Sequence, residues 1–241
     1  MESLPGSRTA VFTGCMTNDY ELLSTADLYN MPHNSATGNA RAMLANRLSW
    51  FFDLRGPSIM LDTACSSSLT ALHLASKSLR DGECDMVSMS ASLMLEQLMT
   101  NTLQALVSGA NLILHPNFTQ RLSYMHMLSP DGISHSFDAS ANGYGRGEGF
   151  AAVLLKPLRA ALADNDAIRA IIRATGINQD GRTPGITMPS RQAQADLIGT
   201  LYGPGLPSLH ETAFFEAHGT GTKVGVRNIS GRDCPDPSTG L

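Results

Sequence analysis

The residues with the clearest chemical potential surround Cys65, in the run LDTACSSSL at residues 61–69. A short apolar segment, Ser58 to Leu61, precedes a turn of small residues, and helically spaced apolar side chains follow from Leu69. This order predicts a nucleophile elbow, in which a reactive side chain is held at a strand-to-helix corner. The helix N-terminus beside the sulfur would favour its thiolate form. A buried structural cysteine at a helix start fits the same local pattern.

A second group with chemical potential lies far downstream, in the run FFEAHGTGT at residues 214–222. Here too an apolar, strand-like segment ends in a polar group, His218, and the glycines after it allow a close approach of the backbone. A histidine at a strand end can donate a hydrogen bond to a developing oxyanion or transfer a proton near neutral pH. A lone histidine is more often structural, so the two runs are informative mainly in combination.

Together, the two runs resemble the beta-ketoacyl synthase (ketosynthase) domain of a type I polyketide synthase. Four further stretches carry the resemblance: residues 37–49 with 56–58 ahead of the cysteine, the glycine-rich segment 136–149, NQDG at 178–181 and PGITMPS at 184–190. The segment GCMTNDY at residues 14–20 is most similar to highly reducing fungal synthases.

The resemblance implies the thiolase fold, an α/β architecture of two similar βαβαβαββ halves. Independently, the alternation of strand-like and helix-like segments predicts a layered α/β fold. Residues 1–157 are then expected to be the N-terminal half with an incomplete start, and residues 158–225 the start of the C-terminal half. Residues 226–241 match nothing in the family pattern and, being polar and rich in Gly, Pro and Ser, are expected to be disordered.

Periodicity predicts the individual elements. The expected strands are Thr9–Thr13, Ser58–Leu61, Ala110–Leu114, Phe150–Leu155, Ala167–Thr175 and Ala213–Glu216. Besides the helix after Cys65, the expected helices are Ala40–Phe52, Leu158–Ala163 and Gln192–Tyr202.

The resemblance also implies a chemistry. Cys65 would accept an acyl chain from the phosphopantetheine thiol of an acyl carrier protein, and a malonyl-type extender would lose carbon dioxide to give an enolate that attacks the thioester. His218 matches the first of two histidines that stabilise this enolate. Thr220 and Thr222 match positions that contact the pantetheine arm. The chain itself would bind no metal or organic cofactor. Its partners would be the carrier-protein and acyltransferase domains of the same synthase, in a homodimer.

Composition is compatible with this assignment. The chain has 241 residues, of which 42% are hydrophobic and 16% charged, enough for a sizeable core. A net charge of −4 gives no indication of a nucleic-acid partner. The cysteines lack zinc-ligand spacing and no secretory signal is present, which predicts reduced thiols in the cytoplasm. No apolar run reaches the roughly 18 residues of a membrane span.

Two segments depart from the family pattern. Residues 87–104, rich in Met and Leu, intervene where a core strand should form, and residues from Val226 onward replace an expected aspartate and helix. Both segments begin with valine, whose codons begin with the same two bases as most introns. We therefore hypothesise that both segments are translations of introns that were not spliced out. A mature transcript retaining the codons for 87–104 would contradict this. The rival interpretation is a genuine helical insertion, because its apolar residues keep helical spacing.

The family's second catalytic histidine, in a Lys-Ser-Asn-x-Gly-His motif, has no counterpart in this sequence. The remaining histidines lie in loops, in unmatched contexts or on a helix: His33, His73, His115, His126, His135 and His210. We therefore expect this chain alone to be inactive in condensation. Robust ketoacyl product from radiolabelled malonyl substrate would refute that expectation.

Three alternatives remain. A thiolase- or chalcone-synthase-type enzyme acting on coenzyme A shares the fold and the cysteine, although the run after His218 favours the carrier-protein branch. A non-catalytic chain-length partner subunit usually lacks the cysteine, so Cys65 speaks against it. A dinucleotide-binding module is disfavoured because Glu148 occupies the third glycine position of the fingerprint and a strand-like segment follows.

Overall fold

The computed structural model describes residues 5–81, 104–203 and 209–222. Two compact units are present: unit 1 comprises residues 1–115 and 147–171, and unit 2 comprises residues 116–146 and 172–241. The predicted insert at 87–104 lies outside the described residues except for Gln104, and the predicted tail at 226–241 lies wholly outside them. No helix among the described residues is long and apolar enough to cross a membrane.

The described part of unit 1 is built on a four-stranded sheet. Its strands are β1 (Ala10–Gly14), β2 (Ser58–Leu61), β3 (Ala105–Asn111) and β4 (Gly149–Leu155), in the order β2-β1-β3-β4. β1 pairs in parallel with β2 and β3, whereas β4 is antiparallel to β3. Gly14 lies opposite both Leu61 and Gly109, so these three strands reach their carboxyl ends at one edge of the sheet.

Helices pack on both faces of the central part of this sheet, whereas β4 is largely exposed. Those of unit 1 are α1 (Asp19–Ser24), α2 (Ser35–Asn39), α3 (Met43–Phe51), α4 (Ser67–Asp81) and α6 (Leu158–Ala163). Side chains alternate between the faces of a strand, and the fully buried β1 follows this rule. Phe12 packs with Ala71 and Ala75 of α4 on one face, while Val11 packs with Ala45 of α3 on the other. β1 is therefore the centre of the core.

Unit 2 contains α5 (Pro116–Tyr124), α7 (Arg191–Leu201) and a 3₁₀ turn at Leu209–Glu211. Ser190 caps α7, because its hydroxyl accepts a hydrogen bond from the amide of Ala193 at 3.2 Å. The guanidinium of Arg146 lies 5.1 Å from the ring centre of Phe118, a cation–π contact on α5.

The structure confirms many of the predicted elements. Ser58–Leu61 and Leu158–Ala163 have the predicted bounds, and the strands near Thr9 and Phe150 are displaced by one residue or less at each end. The predicted helix from Ala40 begins only at Met43, because Ala40 has an extended backbone (ψ 130°) that ends α2.

Three strand predictions are wrong. The strand expected at Ala110–Leu114 is Ala105–Asn111, since pairing with β1 starts where Ala10 lies opposite Ala105. Ala167–Thr175 and Ala213–Glu216 are not strands. Periodicity reports side-chain alternation, but a strand also needs a hydrogen-bonded neighbour, and no described residue supplies a ladder to either segment.

Candidate active site

Cys65 lies in the turn between β2 and α4, as the sequence predicts. β2 ends at Leu61, α4 begins at Ser67, and the cysteine between them is a free, exposed thiol. α4 is 15 residues long, so its first turn presents amide groups and the positive end of a helix dipole close to the sulfur. The thiol is thus solvent-accessible rather than buried, and a thiol placed here can act as a nucleophile.

Hydrogen bonds from small side chains shape this turn. The buried Ser67 hydroxyl accepts from the amide of Thr63 at 2.9 Å and donates to the carbonyl oxygen of Ala64 at 2.6 Å. Ala64 itself has φ 54°, in the left-handed region that residues with a Cβ rarely adopt. The residue immediately before the cysteine is thus held in a strained conformation, as in a nucleophile elbow.

Asp62 links the turn to the preceding helical region. One carboxylate oxygen, Oδ1, accepts the amide of Ala64 at 3.0 Å, and the other, Oδ2, accepts Arg41 Nη2 at 2.6 Å. The hydrogen bond from Arg41, followed by that from Ala64, lowers the pKa of Asp62 below its ordinary value. The carboxylate therefore stays ionised between two donors.

Two glycines let α4 approach the sheet. A Cβ on Gly14 would lie 2.6 Å from the carbonyl carbon of Ser67, and one on Gly109 would lie 3.0 Å from Cβ of Ser68. Both glycines stand at the carboxyl edge of the sheet, in β1 and β3. The start of α4, and with it the cysteine turn, rests directly on the ends of these strands.

A cavity of about 310 Å³ lies at the same edge of the sheet. Cys15 and Leu112, which follow β1 and β3, line it together with Arg41. Met43 and Leu44 of α3 add apolar lining, and Asp19 and Glu21 of α1 add polar lining. The Arg41 side chain therefore borders both the cavity and the cysteine turn.

His218 belongs to unit 2, in an exposed loop that is fastened through its backbone. The neighbouring glycines adopt left-handed conformations, with φ 52° at Gly219 and 67° at Gly221. The Ser136 hydroxyl donates to the carbonyl oxygen of Gly219, and the amide of Gly143 donates to that of Gly221 at 3.1 Å. The loop can thus present the imidazole from a held backbone.

Thr220 and Thr222 share this loop. Both are half-buried, and their hydroxyl oxygens are 3.3 Å apart, within hydrogen-bond distance of each other. The structure therefore brings these two predicted substrate-binding residues together in unit 2, the unit that carries His218, whereas Cys65 belongs to unit 1.

The carboxylate of Asp131 braces the segment to which the loop is fastened. Asp131 accepts a hydrogen bond from the Ser129 hydroxyl, and its Oδ2 lies 3.0 Å from His135 Nε2. The bond from Ser129 and then that from His135 hold the pKa of Asp131 well below its ordinary value. His135 is thereby paired with a carboxylate, an arrangement that sequence analysis did not find.

The sequence reading assigned no role to Arg41, Asp62 or Ser136, although each lies in a stretch that carries the resemblance. No group of three or more His, Cys, Asp or Glu side chains suited to a metal ion occurs among residues 5–81, 104–203 and 209–222.

Comparison with known proteins identifies the family. Residues 1–98 and 88–161 match the family described as beta-ketoacyl synthase, N-terminal domain, and residues 169–228 match beta-ketoacyl synthase, C-terminal domain. The chain belongs to the beta-ketoacyl synthase family, whose members are acyltransferase-type condensing enzymes.

The relatives include fungal polyketide synthases. The chain is 87% identical over 225 residues to the highly reducing polyketide synthase cnsI of Penicillium expansum, covering 93% of this chain and 9% of the relative. It is 60% identical over 222 residues to the highly reducing polyketide synthase alnA of Emericella nidulans, covering 92% of this chain and 8% of the relative. The chain thus spans under a tenth of the length of these two relatives.

Solved structures agree with this result. The ketosynthase from module 6 of the bacillaene synthase of Bacillus subtilis 168 superposes with a TM-score of 0.76 at 37% identity, covering 94% of this chain and 35% of that one. The oxazolomycin ketosynthase domain OzmH KS7 of Streptomyces albus JA3453 gives 0.77 at 39% identity, with coverages of 92% and 35%. The predicted thiolase-like α/β fold is confirmed, and the chain covers part of it.

Proposed function

We propose that the chain supplies the acyl-accepting cysteine of a polyketide synthase ketosynthase. The observation that carries the proposal is the placement of Cys65, an exposed free thiol in a strained turn at the N-terminus of α4. Membership of the beta-ketoacyl synthase family supports the reaction type, and the names of the fungal relatives support polyketide biosynthesis as its setting.

The proposed first step is thioester exchange. The Cys65 sulfur attacks the carbonyl carbon of an acyl thioester on the carrier protein, and a new carbon–sulfur bond forms. The bond to the carrier's phosphopantetheine sulfur breaks, and that thiol leaves with the proton that Cys65 gave up. The helix N-terminus beside Cys65 stabilises negative charge in this step.

The proposed second step is decarboxylative condensation. A malonyl-type extender on the carrier loses carbon dioxide, and the resulting carbanion attacks the acyl carbonyl on Cys65, whose sulfur then leaves. His218 would donate a hydrogen bond to the enolate oxygen of the extender. An oxyanion donor of this kind contributes about 2.7–4 kcal/mol to lowering the barrier. Hydrogen bonds to the carbonyl oxygens of Gly219 and Gly221 hold the backbone of this loop, which supports His218 as a preorganised donor.

The phosphopantetheine arm belongs to the partner carrier protein and is written here as substrate. Thr220 and Thr222 would bind it, since their hydroxyls can donate to and accept from its amide groups. The two hydroxyl oxygens are 3.3 Å apart, which supports a single polar contact site for the amide-bearing phosphopantetheine arm. The acyltransferase domain that loads the extender would belong to the same synthase.

The full protein is proposed to be a cytoplasmic homodimer. The free thiols of Cys15 and Cys65 support a reducing compartment, and the dimer follows from the family resemblance. Fractionation of cells and sedimentation of the full synthase would test the two statements separately.

Acyl loading tests the proposal directly. The purified chain is incubated with an acyl-carrier-protein thioester, and peptide mass spectrometry locates the acyl group. We expect it on Cys65, and expect Cys65→Ala to remain unlabelled. The acyl group on another cysteine, or equal labelling of Cys65→Ala, would refute the proposal.

Two further measurements refine the same test. Preference for acyl-coenzyme A over the carrier-bound donor would favour the thiolase-type alternative. Iodoacetamide should alkylate Cys65 faster than Cys15, Cys84 or Cys234, because an exposed thiol at a helix N-terminus is favoured as the reactive thiolate. Equal rates would indicate a scaffold role for Cys65.

A further inference from the structure

The Arg41 side chain joins the ends of two strands beside the cysteine turn. Its Nη2 donates to the carbonyl oxygen of Cys15 at 2.7 Å and to Oδ2 of Asp62 at 2.6 Å. Cys15 directly follows β1, and Asp62 directly follows β2. Oδ1 of Asp62 accepts a hydrogen bond from the amide of Ala64 at 3.0 Å. A series of hydrogen bonds therefore connects the end of β1 to the residue before Cys65.

Ala64, at the end of this series of hydrogen bonds, has a strained backbone. Ala64 has φ 54°, where its Cβ crowds the backbone, and the residue is exposed to solvent. A residue of this kind keeps its conformation only where its surroundings hold it. The hydrogen bond from the Ala64 amide to the Asp62 carboxylate is one such restraint. Arg41 in turn fixes the orientation of that carboxylate.

The Arg41–Asp62 contact is suited to this task. Each side chain is only about one-third exposed, at 34% and 37%, so water competes for the bond less than at a freely exposed ion pair. Arg41 Nε is enclosed and has no hydrogen-bond partner in the described part of the chain. The guanidinium is therefore held through Nη2, by Asp62 and by the end of β1.

We propose that Arg41 and Asp62 are positioning residues for the acyl-accepting thiol. The ion pair keeps Ala64 in its left-handed conformation, and that conformation sets the direction in which the Cys65 sulfur leaves the backbone. This inference rests on the proposed function of Cys65 as acyl acceptor. It assigns Arg41 and Asp62 no contact with the substrate.

The test separates acyl transfer from substrate binding. The full chain is mixed with an acyl N-acetylcysteamine thioester, and single-turnover acylation of Cys65 is followed by mass spectrometry over a range of donor concentrations. The sulfur of Cys65 forms the new carbon–sulfur bond, and N-acetylcysteamine leaves as the thiol with the cysteine's proton. In Arg41→Met and Asp62→Asn the plateau rate constant should fall about tenfold or more, since misplacement of a reacting atom is costly. The half-saturating concentration should change by less than about twofold.

Matched variants exclude a general loss of charge. Arg55 forms a more exposed ion pair with Asp53 in the same unit, so Arg55→Met removes the same charge and should leave the plateau unchanged. Arg41→Lys keeps a cation able to bond Asp62 and should recover part of the plateau. The double variant Arg41→Met/Asp62→Asn should be no slower than the slower single variant, as expected for residues that act as one unit.

Each outcome has a defined meaning. If Arg41→Met does not fold, Asp62→Asn decides, because it keeps the side-chain shape and removes the charge. An unchanged plateau, or a raised half-saturating concentration at an unchanged plateau, overturns the positioning role and leaves the proposed function intact. A wild-type chain that places no acyl group on Cys65 refutes the proposed function, and the inference falls with it.

Discussion

Gly14 and Ser67 are packed so closely that a single carbon atom could not be added between them. A Cβ on Gly14 would lie 2.6 Å from the carbonyl carbon of Ser67, whereas real Cβ atoms essentially never approach another atom within 3.0 Å. The contact is with backbone, which cannot rotate away as a side chain could. The end of β1 therefore determines how near the first turn of α4, and the cysteine turn ahead of it, can approach the sheet.

Gly14→Ala should consequently displace the start of α4. We expect a loss of stability of about 1–3 kcal/mol, typical of overpacking a close contact, and slower acylation of Cys65. Urea unfolding and the mass-spectrometric loading assay measure the two effects. Gly199→Ala, in α7 and with no atom near its Cβ position, is the control and should not destabilise the chain. Full stability of Gly14→Ala would show that the helix can retreat without cost.

Ser67→Ala should weaken the cysteine turn from within. The buried hydroxyl serves the Thr63 amide, and leaving that donor without a partner costs about 1–3 kcal/mol. Thermal unfolding measures the loss, and the rate of Cys65 alkylation by iodoacetamide reports on the turn. Ser76→Ala, on the same helix, is the comparison, since the Ser76 hydroxyl makes no hydrogen bond among the described residues. Equal stability of the two variants would contradict the role of Ser67.

Gly221→Ala should destabilise unit 2. Gly221 has φ 67°, and an added Cβ would lie 3.0 Å from both the Gly143 carbonyl oxygen and the His135 amide nitrogen. Left-handed strain and crowding of backbone together predict a loss of about 1–3 kcal/mol. Gly147→Ala adds a Cβ with no neighbour and should be nearly neutral. Chemical denaturation decides, and similar unfolding midpoints for the two variants would count against a tightly fastened loop.

The Asp131 carboxylate predicts a pH dependence of stability. Its pKa in the folded chain is lowered from an ordinary 3.8, first by Ser129 and then by His135. A lowered folded pKa stabilises the fold at pH values above the unfolded pKa, and this contribution declines progressively as the pH falls below about 4, until the pH passes through the folded pKa. The melting temperature of Asp131→Asn should therefore lie below that of the wild type at pH 6, and the gap should narrow progressively between pH 4 and pH 3. A gap that is constant over this range would contradict the ionic origin.

Local patterns in the sequence were sufficient for much of the fold. The bounds of β2 follow from a short apolar run between a Gly-Pro breaker and a turn of small residues, and those of α6 from an equally short helical pattern. The displaced β3 and the two missing strands have a common cause. Alternation of side chains does not specify which backbone will pair with which, and pairing is what makes a strand.

The candidate site likewise has features that follow from the local sequence and features that depend on tertiary contacts. The sequence by itself determined the family, the strand-to-helix corner at Cys65 and the glycine-rich run after His218, because these depend on residues adjacent along the chain. Only the tertiary structure decided that Arg41 bonds Asp62, 21 positions away, and that Ser136 bonds Gly219, 83 positions away. Such bonds exist because sheet register and helix packing bring distant backbone and side-chain groups within 3 Å or so, a separation that no local pattern of residues encodes.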